Sequence, residues 1–189
     1  MSALETLSIF GATFALIFLS ELADKTQLII FSIGVKYRKP LEVFSGAILA
    51  HAVVDGIAIV AGSAISSIFK TPFLKFGIAG LFIAMGAYFL IKKGNEKNAP
   101  PLVKSVFLAT FGLIFLSEFG DKSQIVAGLL SARYQLPLIV FTATILALAV
   151  AIGLNLLVGK KIANYIGHEK VEKASAALFI IYGIIFLVI

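Results

Sequence analysis

The chain has 189 residues, of which 60% are hydrophobic and only 14% charged, with a mean hydropathy of +1.04 and a formal net charge of +6. A soluble domain is about half apolar and a quarter charged, so this composition excludes a water-soluble fold and points to an integral membrane protein. The absence of cysteine removes disulfides, thiolate metal sites and thiol catalysis, and leaves oxygen and imidazole as metal donors.

Apolar runs of about twenty residues suit helices crossing a roughly 30 Å hydrocarbon core, and the alternating pattern of a membrane barrel is absent. In chain order the spans read as residues 4–35, 40–69, 72–91, 102–130, 136–166 and 171–189. The expected fold is an all-α integral membrane protein with six transmembrane helices. The first segment lacks a basic leader and a small-residue cleavage site, so it reads as a retained span rather than a signal peptide. It contains ATFALIFLSELADKTQ at residues 12–27, an apolar run that ends in Glu21, Asp24 and Lys25. At about 1.5 Å per residue the segment would be about 48 Å long as one helix, so it must tilt, protrude or break. The second segment carries His51 and Asp55 four residues apart. After the third comes KKGNEKNAPP at residues 92–101, with the composition of a linker. The fourth contains ATFGLIFLSEFGDKSQ at residues 109–124, a second copy of the motif with Glu118, Asp121 and Lys122. The fifth has Leu148 and Ile152 where the second has His51 and Asp55, and Asn155 where the second has Ala58.

A single offset of 97 residues relates the halves: Glu21 falls on Glu118, Pro40 on Pro137, Gly56 on Gly153, Gly62 on Gly159 and Gly86 on Gly183. Shared apolar composition would not align prolines, glycines and a charged motif in one register, so the chain reads as a duplication, with repeat 1 at residues 1–91 and repeat 2 at 102–189. Three spans per repeat is an odd number, so the second copy enters the membrane from the opposite side and the repeats are inverted. Under this topology eleven basic residues, among them Lys36, Lys92, Lys97 and Lys160, share one face, against Lys70, Lys75 and Arg133 on the other. The positive-inside rule then makes the 92–101 linker cytoplasmic and puts both termini outside the cytoplasm. Because lipid orientation explains the basic residues, no nucleic-acid partner is expected.

Both motifs fall near the middle of their spans, close to the bilayer midplane. Six ionisable residues at that depth cost on the order of 15–20 kcal/mol on insertion scales, so they must face each other or a wet cavity. At about 100° per residue, Ser20, Asp24 and Gln27 share one helix face, with Glu21 and Lys25 on the neighbouring one; Ser117, Asp121 and Gln124 repeat this beside Glu118 and Lys122. Glu21, Asp24, Glu118 and Asp121, supported by Ser20, Gln27, Ser117 and Gln124, form the oxygen-rich shell that hard divalent cations take. Lys25 and Lys122 bring the six charges to a net −2, which one divalent ion balances. Protons would compete with the ion for the same carboxylates. For His51 and Asp55 two readings stand, a proton relay and a locally bonded pair. Small residues at four-residue spacing, Gly46 with Ala50 and Ala143 with Ala147, are expected to let helices approach closely.

The pair SELADKTQ (20–27) and SEFGDKSQ (117–124) resembles the duplicated E-x-G-D-K-[TS] signature of a family of membrane transporters for manganese and calcium, a branch of the lysine-exporter superfamily. The resemblance covers essentially the whole chain. It implies a cation/proton exchanger of the plasma or inner membrane in which Glu21, Asp24, Glu118 and Asp121 line the ion path and Lys25 and Lys122 tune it. It implies no cofactor, the transported ion being substrate. Repeat 1 departs from the signature with Ala23 in place of glycine, whereas Gly120 keeps it. Both ions accept oxygen shells, so manganese and calcium both stay open. A passive cation channel and an exporter of a cationic amino acid are the alternatives. An enzyme is not expected: no HExxH, GxSxG or GxGD sequence is present, and the only arginines, Arg38 and Arg133, lie at the membrane edge.

Overall fold

A computed structural model describes residues 2–22, 24–68, 76–77, 79–80, 83–84, 87, 105–165, 177, 180–181 and 183–184. The linker at 92–101 and nearly all of the third and sixth expected spans lie outside the described residues. Among the described residues there are six helices and no strand: α1 (Ala3–Leu22), α2 (Lys25–Tyr37), α3 (Pro40–Ile68), α4 (Val106–Glu118), α5 (Lys122–Tyr134) and α6 (Pro137–Tyr165). Three of them, α1, α3 and α6, are long and apolar enough to cross a membrane.

The first and fourth expected spans are not continuous helices. Each breaks inside its charged motif, after Leu22 in one repeat and after Glu118 in the other. Of the three ways to accommodate an overlong segment, the chain takes the break. In repeat 2, Gly120 adopts φ +82°, a left-handed conformation in which a helix cannot continue and which a side chain resists. Asp24 and Asp121 then take extended conformations and start α2 and α5 as N-cap residues. The two breaks have matching backbone bonds: Asp24 N–H donates to Glu21 O at 3.1 Å, and Asp121 N–H to Glu118 O at 3.0 Å.

Downstream of the breaks the duplication is exact in its helix bounds. Lys122–Tyr134 lies 97 residues beyond Lys25–Tyr37, and Pro137–Tyr165 lies 97 beyond Pro40–Ile68. The same chemistry sets the ends in both copies. Arg38 and Gln135 end α2 and α5 in the left-handed region, each amide donating at 3.0 Å to a carbonyl four residues back. Proline then opens α3 and α6, where its missing N–H costs no helical hydrogen bond.

Packing follows the same exchange. Helix α1 lies against α6 as α4 lies against α3; α2 meets α6 as α5 meets α3; and the long helices α3 and α6 meet each other. The outward faces are oily: Leu49, Val53, Ile57 and Val60 on α3 and Leu146, Val150 and Leu157 on α6 are exposed, as suits lipid contact. Their inward faces carry small residues, Ala47 and Ala50 on α3 and Ala143, Ala147 and Ala151 on α6, all buried. Lipid tails are as apolar as leucine, so helices in a bilayer gain from close backbone approach rather than from the hydrophobic effect. The tightest approach is between α3 and α5, where a Cβ on Gly62 would lie 2.0 Å from the carbonyl oxygen of Gly128. Ser131 Oγ donates to Ile59 O at 2.7 Å along the same contact. Gly46 also packs against the backbone of α4 at Phe107, in line with the expected small-residue contact.

Candidate metal centre

The two helix breaks bring the charged motifs of both repeats together. Glu21 lies in the last turn of α1 and Glu118 closes α4, and both are buried; Asp24 and Asp121 follow in the breaks, and Lys122 opens α5. Glu21, Glu118 and His51 of α3 each offer a donor atom within 4.8 Å of the others. Asp24, Glu118 and Asp121 form a second such trio. Glu118 belongs to both, so the four expected carboxylates and one imidazole form two adjoining clusters joined at Glu118.

These clusters differ in how they are held. Lys122 reaches from repeat 2 to form an ion pair with Asp24 of repeat 1, and its Nζ lies 4.0 Å from Asp121 Oδ2. Asp24 Oδ2 also accepts from the backbone amide of Thr26 at 3.2 Å and from its hydroxyl at 2.9 Å. Both oxygens of Glu21 and Oε1 of Glu118 are buried without a hydrogen-bond partner, while Glu118 Oε2 accepts a long bond from Ser123 Oγ at 3.4 Å. Buried carboxylate oxygens without donors are costly unless something else satisfies them, and a cation is the ligand that suits acceptor-only groups.

The break alters the expected faces. Ser20 and Glu21 belong to α1 while Asp24, Lys25 and Gln27 belong to the break and α2, so they do not share a face of one helix; the break resets the helical phase between them. The same correction applies to Ser117 and Glu118 against Asp121, Lys122 and Gln124. Ser20 and Ser117 donate their hydroxyls to Ile17 O at 2.8 Å and Ile114 O at 3.2 Å, carbonyls of their own helices. Gln27 Oε1 accepts from Asn155 Nδ2 at 2.9 Å, and Asn155 also donates to the Gln27 backbone carbonyl. Gln124 instead donates to Val54 O at 3.2 Å and accepts from Gly120 N–H at 2.6 Å. Both amides brace the breaks against the long helix of the other repeat. Lys25 is the first residue of α2, and its side chain lies outside the described residues. His51 and Asp55 are both buried on the inward face of α3, with Nδ1 3.5 Å from Asp55 Oδ2.

The structure adds Thr26 and Ser123 to the expected set. They are equivalent residues in the two copies, both fully buried, each with its hydroxyl directed to a motif carboxylate. The final [TS] position of the signature is the signal that marks them. Asn155 was visible in sequence as an unmatched polar residue, but its partner on another helix was not.

Secondary transporters commonly bind their ions where broken helices meet at a repeat interface, and the buried carboxylates here meet at two such breaks. The sequence profile of the family described as "Divalent cation/proton antiporter GDT1" matches residues 9–97 and 106–189. The chain belongs to this family, which is one of transporters rather than enzymes. A Vibrio cholerae protein named "Putative manganese exporter" is 27% identical over 179 residues, covering 94% of this chain and 90% of the relative. The Arabidopsis thaliana "Protein PAM71-homolog, chloroplastic" is 28% identical over 208 residues, covering 92% of this chain but 57% of the relative. Arabidopsis "GDT1-like protein 5" is 25% identical over 214 residues, with 93% of each chain covered. No solved structure matches.

Proposed function

We propose that the protein is a manganese/proton exchanger, with calcium as the second candidate ion, that moves the ion out of the cytoplasm by alternating access between two inverted three-span repeats. The ion sits among Glu21, Asp24, Glu118 and Asp121, with Lys122 setting the charge balance and Lys25 doing so by analogy between the copies. Its setting is the cell membrane, with both termini outside the cytoplasm. The observation that carries this reading is the meeting of Glu21 and Glu118, one from each repeat, with donor atoms within 4.8 Å and no hydrogen-bond partner on either Glu21 oxygen. Metal binding requires deprotonated ligands, so an ion arriving at these carboxylates displaces protons and an ion leaving lets them return, which is the linkage an exchanger uses. Rocking one repeat against the other would open Glu118, shared by both clusters, to alternate sides. The family match and the manganese named for the Vibrio relative support the choice of reaction and ion.

The test uses purified protein in liposomes loaded with a divalent-sensitive dye and a pH dye, with manganese or calcium added outside. Ion entry with opposing proton movement, lost in Glu118→Gln, is the expected result. Ion entry without proton movement would replace the exchanger by a channel, and absence of flux for both ions would turn the search to cationic amino acids.

A further inference from the structure

Repeat 1 carries two buried polar residues for which repeat 2 has no counterpart. His51 and Asp55 occupy the inward face of α3, and the equivalent positions of α6 hold Leu148 and Ile152, all four fully buried. An imidazole nitrogen of His51 lies within 4.8 Å of carboxylate oxygens from Glu21 and Glu118. Donors bound to one ion at 2.3–2.6 Å lie at most about 5 Å apart, so this spacing suits a shared ion. Neither ring nitrogen of His51, and neither oxygen of Asp55, has a hydrogen-bond partner, although Nδ1 and Asp55 Oδ2 are only 3.5 Å apart. A histidine that ligates through one nitrogen is commonly oriented by a carboxylate on the other, and Asp55 beside Nδ1 is placed for that role, which leaves Nε2 for the ion.

We infer that His51 is an ion ligand held in place by Asp55, and that its single nitrogen makes the site select manganese over calcium. The inference rests on the transport reading above and deepens it. Calcium takes oxygen ligands, whereas manganese belongs to the first-row series that binds mixed nitrogen and oxygen sites. An all-carboxylate site would leave the two ions poorly separated. One imidazole in the shell lowers the affinity for calcium relative to manganese, and because α6 has leucine and isoleucine at the equivalent positions, the nitrogen comes from one repeat only. Asp55 is a positioning residue in this scheme: it faces the ring, not the ion.

Two measurements test it. Pulsed electron paramagnetic resonance on manganese bound to the purified protein is expected to show nitrogen coupling that disappears in His51→Gln and persists in His168→Gln, His168 being the chain's other histidine. In the liposome assay, His51→Gln replaces nitrogen by an amide oxygen and is expected to lower the manganese-to-calcium ratio of kcat/KM by about 10–100-fold, mainly through manganese, with Asp55→Asn shifting it the same way to a smaller extent. Bound manganese without nitrogen coupling in the wild type overturns the inference while leaving the exchanger intact, and it requires no variant to fold. An equal loss of both ions in His51→Gln overturns selectivity. A wild type that moves neither ion overturns both readings together.

Discussion

Asp24 and Asp121 each start the second helix of their repeat from the same extended conformation, but only Asp24 accepts a capping bond from its own helix, at 3.2 Å from Thr26 N–H. Asp24 is also the one that pairs with Lys122 at hydrogen-bond range, and its side chain is the less exposed, 8% against 19%. The neighbouring amides diverge in the same manner, Gln27 bound by Asn155 and Gln124 bound to Val54 O and Gly120 N–H. Downstream of the breaks the helix bounds and N-cap positions coincide at an offset of 97 residues, whereas the partners of the motif side chains do not. The backbone of each copy must satisfy its polar groups within the bilayer, and that constraint is the same for both. The side chains at the centre meet one another rather than lipid, so nothing requires them to stay alike.

The sharpest way to break this comparison is to ask whether the copies truly face opposite ways. The chain has no cysteine, so Arg38→Cys and Gln135→Cys each introduce one thiol at equivalent exposed turns. In inside-out and right-side-out vesicles an impermeant maleimide is expected to label Arg38→Cys from the cytoplasmic side and Gln135→Cys from the opposite side, an all-or-none difference. Labelling of both from one side would end the inverted-repeat reading. A second effect, smaller but still large, concerns the ion pair that crosses between copies. Removing one partner of a buried pair leaves an uncompensated charge and costs about 3–5 kcal/mol. Lys122→Met is therefore expected to lower the thermal midpoint in detergent strongly, and adding Asp24→Asn to it is expected to cost less than the two single changes summed. Strict additivity would mean that the pair contributes nothing to joining the repeats.

Much of the frame could be read in the chain before any coordinates. The duplication register, Pro40 and Pro137 as helix starts, and the meeting of Glu21 with Glu118 all follow from spacing and from the cost of isolated intramembrane charge. The shared face of Ser20, Asp24 and Gln27 could not hold, because a 100° periodicity presumes an unbroken helix and the chain resets its phase between Leu22 and Lys25. Gly120 marks the break in repeat 2, while repeat 1 breaks after Leu22 with no glycine in its motif. The contacts that a repeat register cannot supply are those between unlike faces: Asn155 on Gln27, Ser131 on Ile59, and Gly62 against Gly128. Each joins residues that no local pattern relates.

The smallest predicted effect distinguishes two glycines that look alike in sequence. Gly62 lies in α3 and Gly112 in α4, both inside apolar helices. A Cβ on Gly112 would meet nothing within 4 Å, so Gly112→Ala gains up to about 1 kcal/mol of helix propensity with no packing cost. A Cβ on Gly62 would meet the Gly128 carbonyl at 2.0 Å, and backbone cannot rotate away as a side chain can. Gly62→Ala therefore forces α3 and α5 apart and is expected to lose about 1–3 kcal/mol. Because α5 begins with Lys122 and Ser123, and because Gln124 is bound to Val54 of α3, the same displacement moves the residues around Glu118. The expected outcome is a lowered thermal midpoint with reduced ion flux for Gly62→Ala, and an unchanged or raised midpoint with unchanged flux for Gly112→Ala. Equal midpoints for the two variants would mean that the α3–α5 contact is looser than 2.0 Å implies, and that the centre is held by its polar bonds alone.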